Sequence, residues 1–350
     1  MQAFDSTPVA RSSRLLQLAL FITAGIWFFC SEALAAHAAQ GISDRFSSDA
    51  TAAVTRPLLA ALFLLFLLAI GFSILQSISH RPASFRQILG LPKRPSSRRE
   101  WMLGAAIGWG IVFFAVLPIA LAGRLRIQLW TEPRAFGFAF INLATLLVAT
   151  LAQEVVYRGY AFRRLIESIG PVAATIGMSL LFGLGHALNP GATWTSTLVT
   201  VLAGLLLAIA WLRTHGLWLG WGFHFAWNAS MGILFGLPIS GITDFASIVQ
   251  TRTIGRTSLT GGVYGPEAAS FTVIVLLVGI AVLVRLTRDY AWHYTYVPIV
   301  AAGYPMEAAP PAAHVAMEQQ ARPAPPPPPA LVQILPATPQ TRSVPDEPHS

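Results

Sequence analysis

The side chains best suited to chemistry lie in three segments of the sequence that are otherwise apolar. They are Gln153, Glu154, Arg158, His186, His224 and Asn228. A carboxylate or an imidazole can take a proton from water, and an imidazole or a side-chain amide can donate hydrogen bonds to a developing oxyanion. The set therefore predicts attack of water on a peptide carbonyl group. We expect these groups to face a protein interior or a watery cavity, as ionisable side chains within apolar segments usually do.

A zinc site is the main chemical alternative. Two histidines and one glutamate could hold Zn²⁺ and leave a fourth position for water. However, the spacing H-E-x-x-H is absent, and Asn228 and Arg158 are unusual neighbours for zinc, so the sequence favours chemistry without a cofactor. A covalent nucleophile is not indicated either, because the sequence has no G-x-S-x-G segment and Cys30 lies far from the polar segments.

Each of these side chains also has a purely structural interpretation. Glu154 and Arg158 are four residues apart, so on a helix they share a face and neutralise each other. Asn228 could join two helices through a hydrogen bond, and a single histidine could be a satisfied core residue. Their combination in one apolar chain favours a catalytic site over these separate explanations.

The elements that must position these groups are membrane-spanning helices. The chain has 23 basic and 15 acidic residues among 350, with 54% hydrophobic residues and a mean hydropathy of +0.60. This composition excludes an ordinary soluble protein. Eight apolar stretches approach the roughly 20 residues that cross a bilayer: about 15–36, 57–77, 101–123, 136–160, 171–188, 194–212, 217–238 and 270–287. We therefore predict an all-α, multi-pass transmembrane helical bundle of about eight spans.

The basic residues predict the orientation of this bundle in the cell membrane. With both termini in the cytoplasm, 16 of the 23 basic residues fall on the cytoplasmic side, and six of these lie between residues 81 and 99. This distribution follows the positive-inside rule, so the positive net charge reflects topology and gives no reason to expect nucleic acid binding. The first stretch, with its small residues at 33–36, also fits a cleavable signal peptide, but the charge distribution favours a retained helix.

Three regions follow from these patterns. Residues 1–100 hold two predicted membrane helices and a basic cytoplasmic loop, and residues 101–288 hold the polar segments with the remaining spans. Residues 289–350 form a tail. Of the 25 prolines, 13 lie from Tyr304 onward together with many alanines, a composition that cannot bury a core. We predict a disordered Pro/Ala-rich extension there.

The three polar segments, taken in order, resemble the motifs of the CPBP intramembrane proteases, which include the type II CAAX prenyl endopeptidases and abortive-infection relatives. The family pattern is E-E-x-x-x-R, then F-x-x-x-H, then H-x-x-x-N. The sequence here reads Gln153-Glu154-x-x-x-Arg158, Phe182-x-x-x-His186 and His224-x-x-x-Asn228. The resemblance covers about residues 101–288, and the segment Leu259–Glu267 is also similar to bacterial members.

The resemblance implies a glutamate-dependent membrane endopeptidase that acts on a peptide or protein near the bilayer. Glu154 and His186 would activate a water molecule. His224 and Asn228 would stabilise the oxyanion. Arg158 would orient or neutralise the carboxylate.

Gln153 departs from the family pattern. The family usually has a glutamate there, and a neutral amide cannot accept the proton that the base must take. Two hypotheses stay open at this point. Either Glu154 serves as the base, or the chain is a non-catalytic membrane scaffold, immunity factor or transporter of the same fold.

Overall fold

The structure is a computed structural model that describes residues 13–46, 49–79 and 83–288. Five helices in these ranges are long and apolar enough to cross a membrane: Arg14–Arg45, Thr51–Ile78, Ser97–Leu121, Pro133–Ile169 and Trp194–Thr214. Two shorter apolar helices cover Pro171–His186 and Thr272–Leu286. The all-α membrane bundle expected from the composition is confirmed. The predicted tail at 289–350 lies outside the described residues.

The helices follow the eight expected spans. In chain order they are α1 (Arg14–Phe46), α2 (Asp49–Ile78), α3 (Phe85–Ile88), α4 (Ser97–Leu121), α5 (Pro133–Glu154), α6 (Tyr160–Ile169), α7 (Pro171–His186), α8 (Trp194–Thr214), α9 (Trp218–Ala229), α10 (Thr257–Thr260) and α11 (Thr272–Leu286). One turn of π-helix, Val155–Gly159, joins α5 to α6, and a second, Ser230–Leu234, extends α9. A 3₁₀ turn covers Pro266–Ala268.

A small antiparallel sheet joins two distant segments, and the sequence did not predict it. Strand β1 (Leu125–Leu129) pairs with strand β2 (Val249–Thr253). The pairing extends beyond the strands, since the Trp130 N–H donates to the Ile248 carbonyl oxygen at 2.8 Å. The sheet therefore fixes the long connection between α9 and α11 against the connection between α4 and α5.

Local sequence determines where α7 and α8 begin. Gly170 adopts a φ of 88°, which favours glycine, and Pro171 follows at the first position of α7, where a proline costs no hydrogen bond. Thr193 caps α8, because its hydroxyl oxygen accepts from the Ser196 N–H at 3.1 Å while the Ser196 hydroxyl oxygen accepts from the Thr193 N–H. These breaks let α7 and α8 pack against each other, with His186 at the end of α7.

Helices α4 and α9 pack with their backbones in contact. A Cβ added to Gly104 would lie 2.0 Å from the Leu219 carbonyl oxygen, and one added to Gly108 would lie 2.3 Å from the Phe223 carbonyl oxygen. The contact is reciprocal, because a Cβ on Gly222 would lie 2.1 Å from the backbone of α4. Only glycine permits so close an approach. This interface fixes the rotation of α9, which carries His224 and Asn228.

Polar contacts tie α1 and α2 to the rest of the bundle. The Trp27 Nε1–H on α1 donates to the Leu67 carbonyl oxygen on α2 at 2.9 Å. Arg164 on α6 donates to the Gln17 side chain at 3.0 Å and to the Gln76 side chain at 2.7 Å. Helix α1 therefore packs against α2 and α6 through specific polar contacts.

The two ends of the bundle are built from different segments. At the first end the Trp218 Nε1–H donates to the Pro92 carbonyl oxygen at 2.9 Å, which brings the basic segment 83–99 to the junction of α8 and α9. We call this the basic end. At the opposite end lie the small sheet and the connection 235–271.

Candidate active site

A cavity of about 800 Å³ opens among the helices. It is bounded by side chains of α1, α2, α5, α7, α8 and α9 and by the loop 239–245. This volume is within the range of roughly 300–1,000 Å³ that is usual for ligand sites. Most of the lining side chains are apolar, as in ligand sites generally, and a few polar groups converge on the space.

The six side chains singled out in the sequence form one cluster at this cavity. Gln153, His186, His224 and Asn228 line it directly. Glu154 and Arg158 lie behind its wall, with 0% and 1% of their side chains exposed. The Gln153 amide therefore lines the cavity, while the neighbouring Glu154 carboxylate is buried behind the cavity wall.

Glu154 is held between an imidazole and a guanidinium group. Its Oε1 lies 2.8 Å from His224 Nδ1 and accepts from Arg158 Nη1 at 3.4 Å. Its Oε2 is buried and makes no hydrogen bond within the described residues. Arg158 also donates to the Gly204 carbonyl oxygen on α8 at 3.1 Å. The opposite charges of Glu154 and Arg158 lower the cost of burying either one.

Phe182 is the common contact of this cluster. The centroid of its ring lies 4.6 Å from that of His186 and 5.9 Å from that of His224. The Arg158 guanidinium carbon lies 4.5 Å from the same centroid, an arrangement that attracts a cation to the ring face. Tyr157 packs edge-on at 5.0 Å. The phenylalanine of the second motif thus positions both histidines and the buried arginine.

Hydrogen bonds determine which nitrogen of each neutral histidine is free. His186 Nδ1 lies 2.8 Å from the Phe182 carbonyl oxygen, and a carbonyl only accepts, so Nδ1 carries the proton. His224 Nδ1 donates in the same way to the Glu154 carboxylate. Nε2 is therefore the unprotonated nitrogen of each ring. Two potential bases line the cavity.

The geometry of α5 explains why Gln153 lines the cavity and Glu154 does not. Adjacent residues on a helix point roughly 100° apart, so Gln153 and Glu154 cannot face the same space. Glu154 faces α9, where a Cβ added to Gly220 would lie 3.3 Å from its Oε2. Gln153 faces the cavity, and its Oε1 is buried without a hydrogen-bond partner in the described chain.

Glu267 is a lining residue whose role the sequence did not predict. Its carboxylate accepts from the Trp227 Nε1–H at 2.8 Å and from both the N–H and the hydroxyl of Ser240, at 2.5 and 2.9 Å. Burial raises the pKa of Glu267, while these hydrogen bonds oppose the rise. It anchors Ser240, which has a φ of 47°, at the cavity wall. The resemblance of the segment Leu259–Glu267 to bacterial family members was the one signal in the sequence that pointed to this region.

The residues present do not fit the alternative zinc site well. Zinc would need Glu154, His186 and His224 to converge on one ion, but Glu154 is bonded to His224 and Arg158 behind the wall. Across residues 13–46, 49–79 and 83–288, no three His, Cys, Asp or Glu side chains are grouped as a set of metal ligands.

Comparison with known proteins identifies one family. Residues 135–230 match the family model described as type II CAAX prenyl endopeptidase Rce1-like. This segment runs from α5 through α9 and includes all six residues of the cluster. Searches of the curated proteins and of the solved structures give no significant match. Residues 135–230 are therefore similar to the Rce1-like type II CAAX prenyl endopeptidases, and the resemblance to the CPBP intramembrane proteases is confirmed over this stretch.

Proposed function

We propose that the protein is a membrane-embedded endopeptidase that hydrolyses a peptide bond with water activated by the Glu154–His224 pair. The observation that carries the proposal is the 2.8 Å contact between His224 Nδ1 and the buried Glu154 carboxylate, at the wall of the cavity. The family match supports a protease that acts at a membrane. The reaction as we propose it requires no cofactor.

His224 would act as the base of this reaction. Its Nε2 takes a proton from water while the water oxygen attacks the peptide carbonyl carbon. Glu154 accepts the Nδ1–H bond, so it holds the tautomer that leaves Nε2 free and stabilises the imidazolium that forms. The C–N bond then breaks, and the proton passes from His224 to the leaving amine. Water is thereby added across the peptide bond.

Side-chain amides would supply the oxyanion site. Asn228 lines the cavity, and its side chain makes no hydrogen bond within the described residues. Gln153 lines the same cavity from α5, so both NH₂ groups are available to donate to the oxyanion. His186 provides a second base beside them. This assignment differs from the one that the resemblance implies, because Glu154 acts through His224 rather than on water directly.

The proposal is tested with purified protein in lipid and peptides from a random library, in isotopically labelled water. We expect cleavage, with the label in the new carboxyl group of the product. We also expect activity to persist after chelation, in protein without stoichiometric zinc. Product without the label would contradict hydrolysis by water. Activity that chelation removes and zinc restores would contradict the reaction without a cofactor.

Gln153→Glu is expected to lower turnover by about tenfold or more, because it replaces an amide that can donate to the oxyanion with a carboxylate that repels it, at a position that faces the cavity. The measurement is the initial rate on one peptide. Gln153→Met, which keeps the length and loses the amide, is the control and is expected to be slower than the parent. A faster Gln153→Glu variant would contradict the expectation and would show that residue 153 acts better as a base than as a donor.

The position of Gln153 also favours a second candidate function. A cavity that presents an amide where the family usually has a carboxylate suits a non-catalytic membrane scaffold, immunity factor or transporter of the same fold. The His224→Ala, Asn228→Ala double variant separates the two candidates in cells. Loss of the cellular phenotype favours the protease, and a retained phenotype favours the second candidate.

We further propose that the bundle lies in the cell membrane with its basic end and both termini in the cytoplasm, as the positive-inside rule predicts. The cavity is lined by Pro57 and by the loop 239–245, which belong to the opposite half of the bundle. In this orientation the cavity opens away from the cytoplasm, and the peptide or protein segment would enter it from the outer side of the membrane. Impermeant thiol labelling of single cysteines at residues 97 and 242 would test this, since only the second should react in intact cells.

A further inference from the structure

Glu32 brings a second acidic side chain to the cavity from an unexpected helix. It lies near the middle of α1, at a depth where an ionised group is costly in a membrane and is usually functional. It lines the cavity together with Gln153. Phe28, one turn earlier on α1, packs edge-on against Tyr157 with 6.5 Å between ring centroids. This contact places α1 beside the helical stretch that carries Gln153.

The Glu32 carboxylate makes no hydrogen bond or ion pair with any described residue. In this it differs from Glu267, the other acid in the lining, whose oxygens accept from Trp227 and Ser240. An acid that had only a packing role at this depth would be expected to have a partner, because unpaired charges in apolar surroundings are unfavourable.

The described residues offer Glu32 no lysine or arginine within the cavity. None of the lining side chains, among the described residues, belongs to lysine or arginine. Two arginines lie next to lining residues in sequence, but each has an acidic partner: Arg56 pairs with Asp44 at 3.2 Å, and Arg158 pairs with Glu154 at 3.4 Å. The cavity therefore holds one acid without a partner in a mainly apolar space.

We propose that Glu32 binds a cationic group of the peptide substrate, either a lysine or arginine side chain or a free α-amino group. The role as a substrate site rests on the proposed function. The binding itself does not, because it requires only the cavity and the carboxylate. A peptide with a positive charge would supply the partner that Glu32 lacks. The Glu32 side chain is exposed at the cavity, so a bound cation can reach it, and the mainly apolar lining would strengthen the pair.

Binding is measured separately from cleavage, in the His224→Gln background, with fluorescent hexapeptides that are identical except at one position. That position holds lysine or its neutral analogue norleucine, and each peptide is made with a free and with an acetylated N-terminus. We expect the lysine or the free amine to tighten binding by about threefold to fivefold. Comparing the four peptides identifies which cation is bound.

Variants at residue 32 then assign the effect. Glu32→Gln, which keeps the shape of the side chain, is expected to remove the preference for the cation and to leave binding of the neutral peptide unchanged. Glu32→Lys is expected to reverse the preference, so that a peptide with glutamate at the same position binds more tightly than the lysine peptide. Glu132→Gln, at an exposed acid that does not line the cavity, is the control and should keep the parent preference.

The two proposals fail in different ways. Equal binding of charged and neutral peptides by the parent, no binding of any peptide, or a preference that survives Glu32→Gln would overturn the role of Glu32. A different result is selective binding that depends on Glu32 while the parent, with His224 intact, cleaves no peptide. That result would support the role of Glu32 and count against the protease.

Discussion

His224→Gln is expected to lower turnover by roughly 10²–10⁴-fold, the usual contribution of a positioned base. Glutamine has an NH₂ group that can still donate to the Glu154 carboxylate, so the buried contact is preserved. It has no nitrogen that can take a proton from water. The substitution therefore separates proton transfer from packing, and its effect should appear in kcat rather than in the peptide Kd.

The control for this experiment is His215→Asn. His215 lies between α8 and α9 and does not line the cavity. Asparagine tolerates its left-handed backbone, with a φ of 48°, better than most residues. Burial, with a smaller effect from Arg94, lowers the pKa of His215 to about 4, so a step in the pH profile of kcat near neutrality cannot come from this group. More than half of the parent turnover in His224→Gln would contradict the role of His224 as base.

Glu154→Leu is expected to cost about 3–5 kcal/mol of stability in addition to turnover, because it leaves Arg158 buried without its acidic partner. The double variant Glu154→Leu, Arg158→Leu is expected to recover most of this loss, since two apolar side chains often replace a buried ion pair at little cost. Turnover should stay low in both, because His224 has lost the carboxylate that orients it. Thermal unfolding in detergent and initial rates on one peptide measure the two quantities.

A second buried pair provides the matched control. Glu100 is fully buried and accepts from Arg94 at 2.7 Å, at the basic end and away from the cavity. Glu100→Leu should destabilise the protein in the same way, while the folded fraction keeps the parent turnover. If the Glu154, Arg158 double variant regained turnover as well as stability, the pair would have only a structural role and the proposed mechanism would be wrong.

The helices could be predicted from the sequence because their apolar runs are long and the breaks between them are clear. Gly170 with Pro171 ends one helix and begins the next, and such breakers act locally. The six polar residues could also be selected in advance, since few ionisable groups occur in the apolar runs. The confirmed family match covers the same stretch, 135–230.

The division of roles between Gln153 and Glu154 could not be predicted, because it depends on the rotation of α5 against α9. That rotation follows from contacts such as the close approach of Gly220 to Glu154, which joins residues distant in sequence. The role of Glu267 in the cavity wall could not be predicted for a similar reason. Its partners, Trp227 and Ser240, precede it by 40 and 27 residues, and no local periodicity reports such a contact.

The backbone contact between α4 and α9 also determines when a working site can exist during synthesis. The glycine face of α4, at Gly104 and Gly108, is inserted into the membrane long before the ribosome adds α9. Until α9 docks on that face, neither His224 nor Asn228 is present. Under the proposed mechanism, the nascent chain therefore passes through the insertion machinery without hydrolytic capacity, and one late docking step completes the site. A product truncated before α9 would lack both side chains and would leave the glycine face of α4 uncovered.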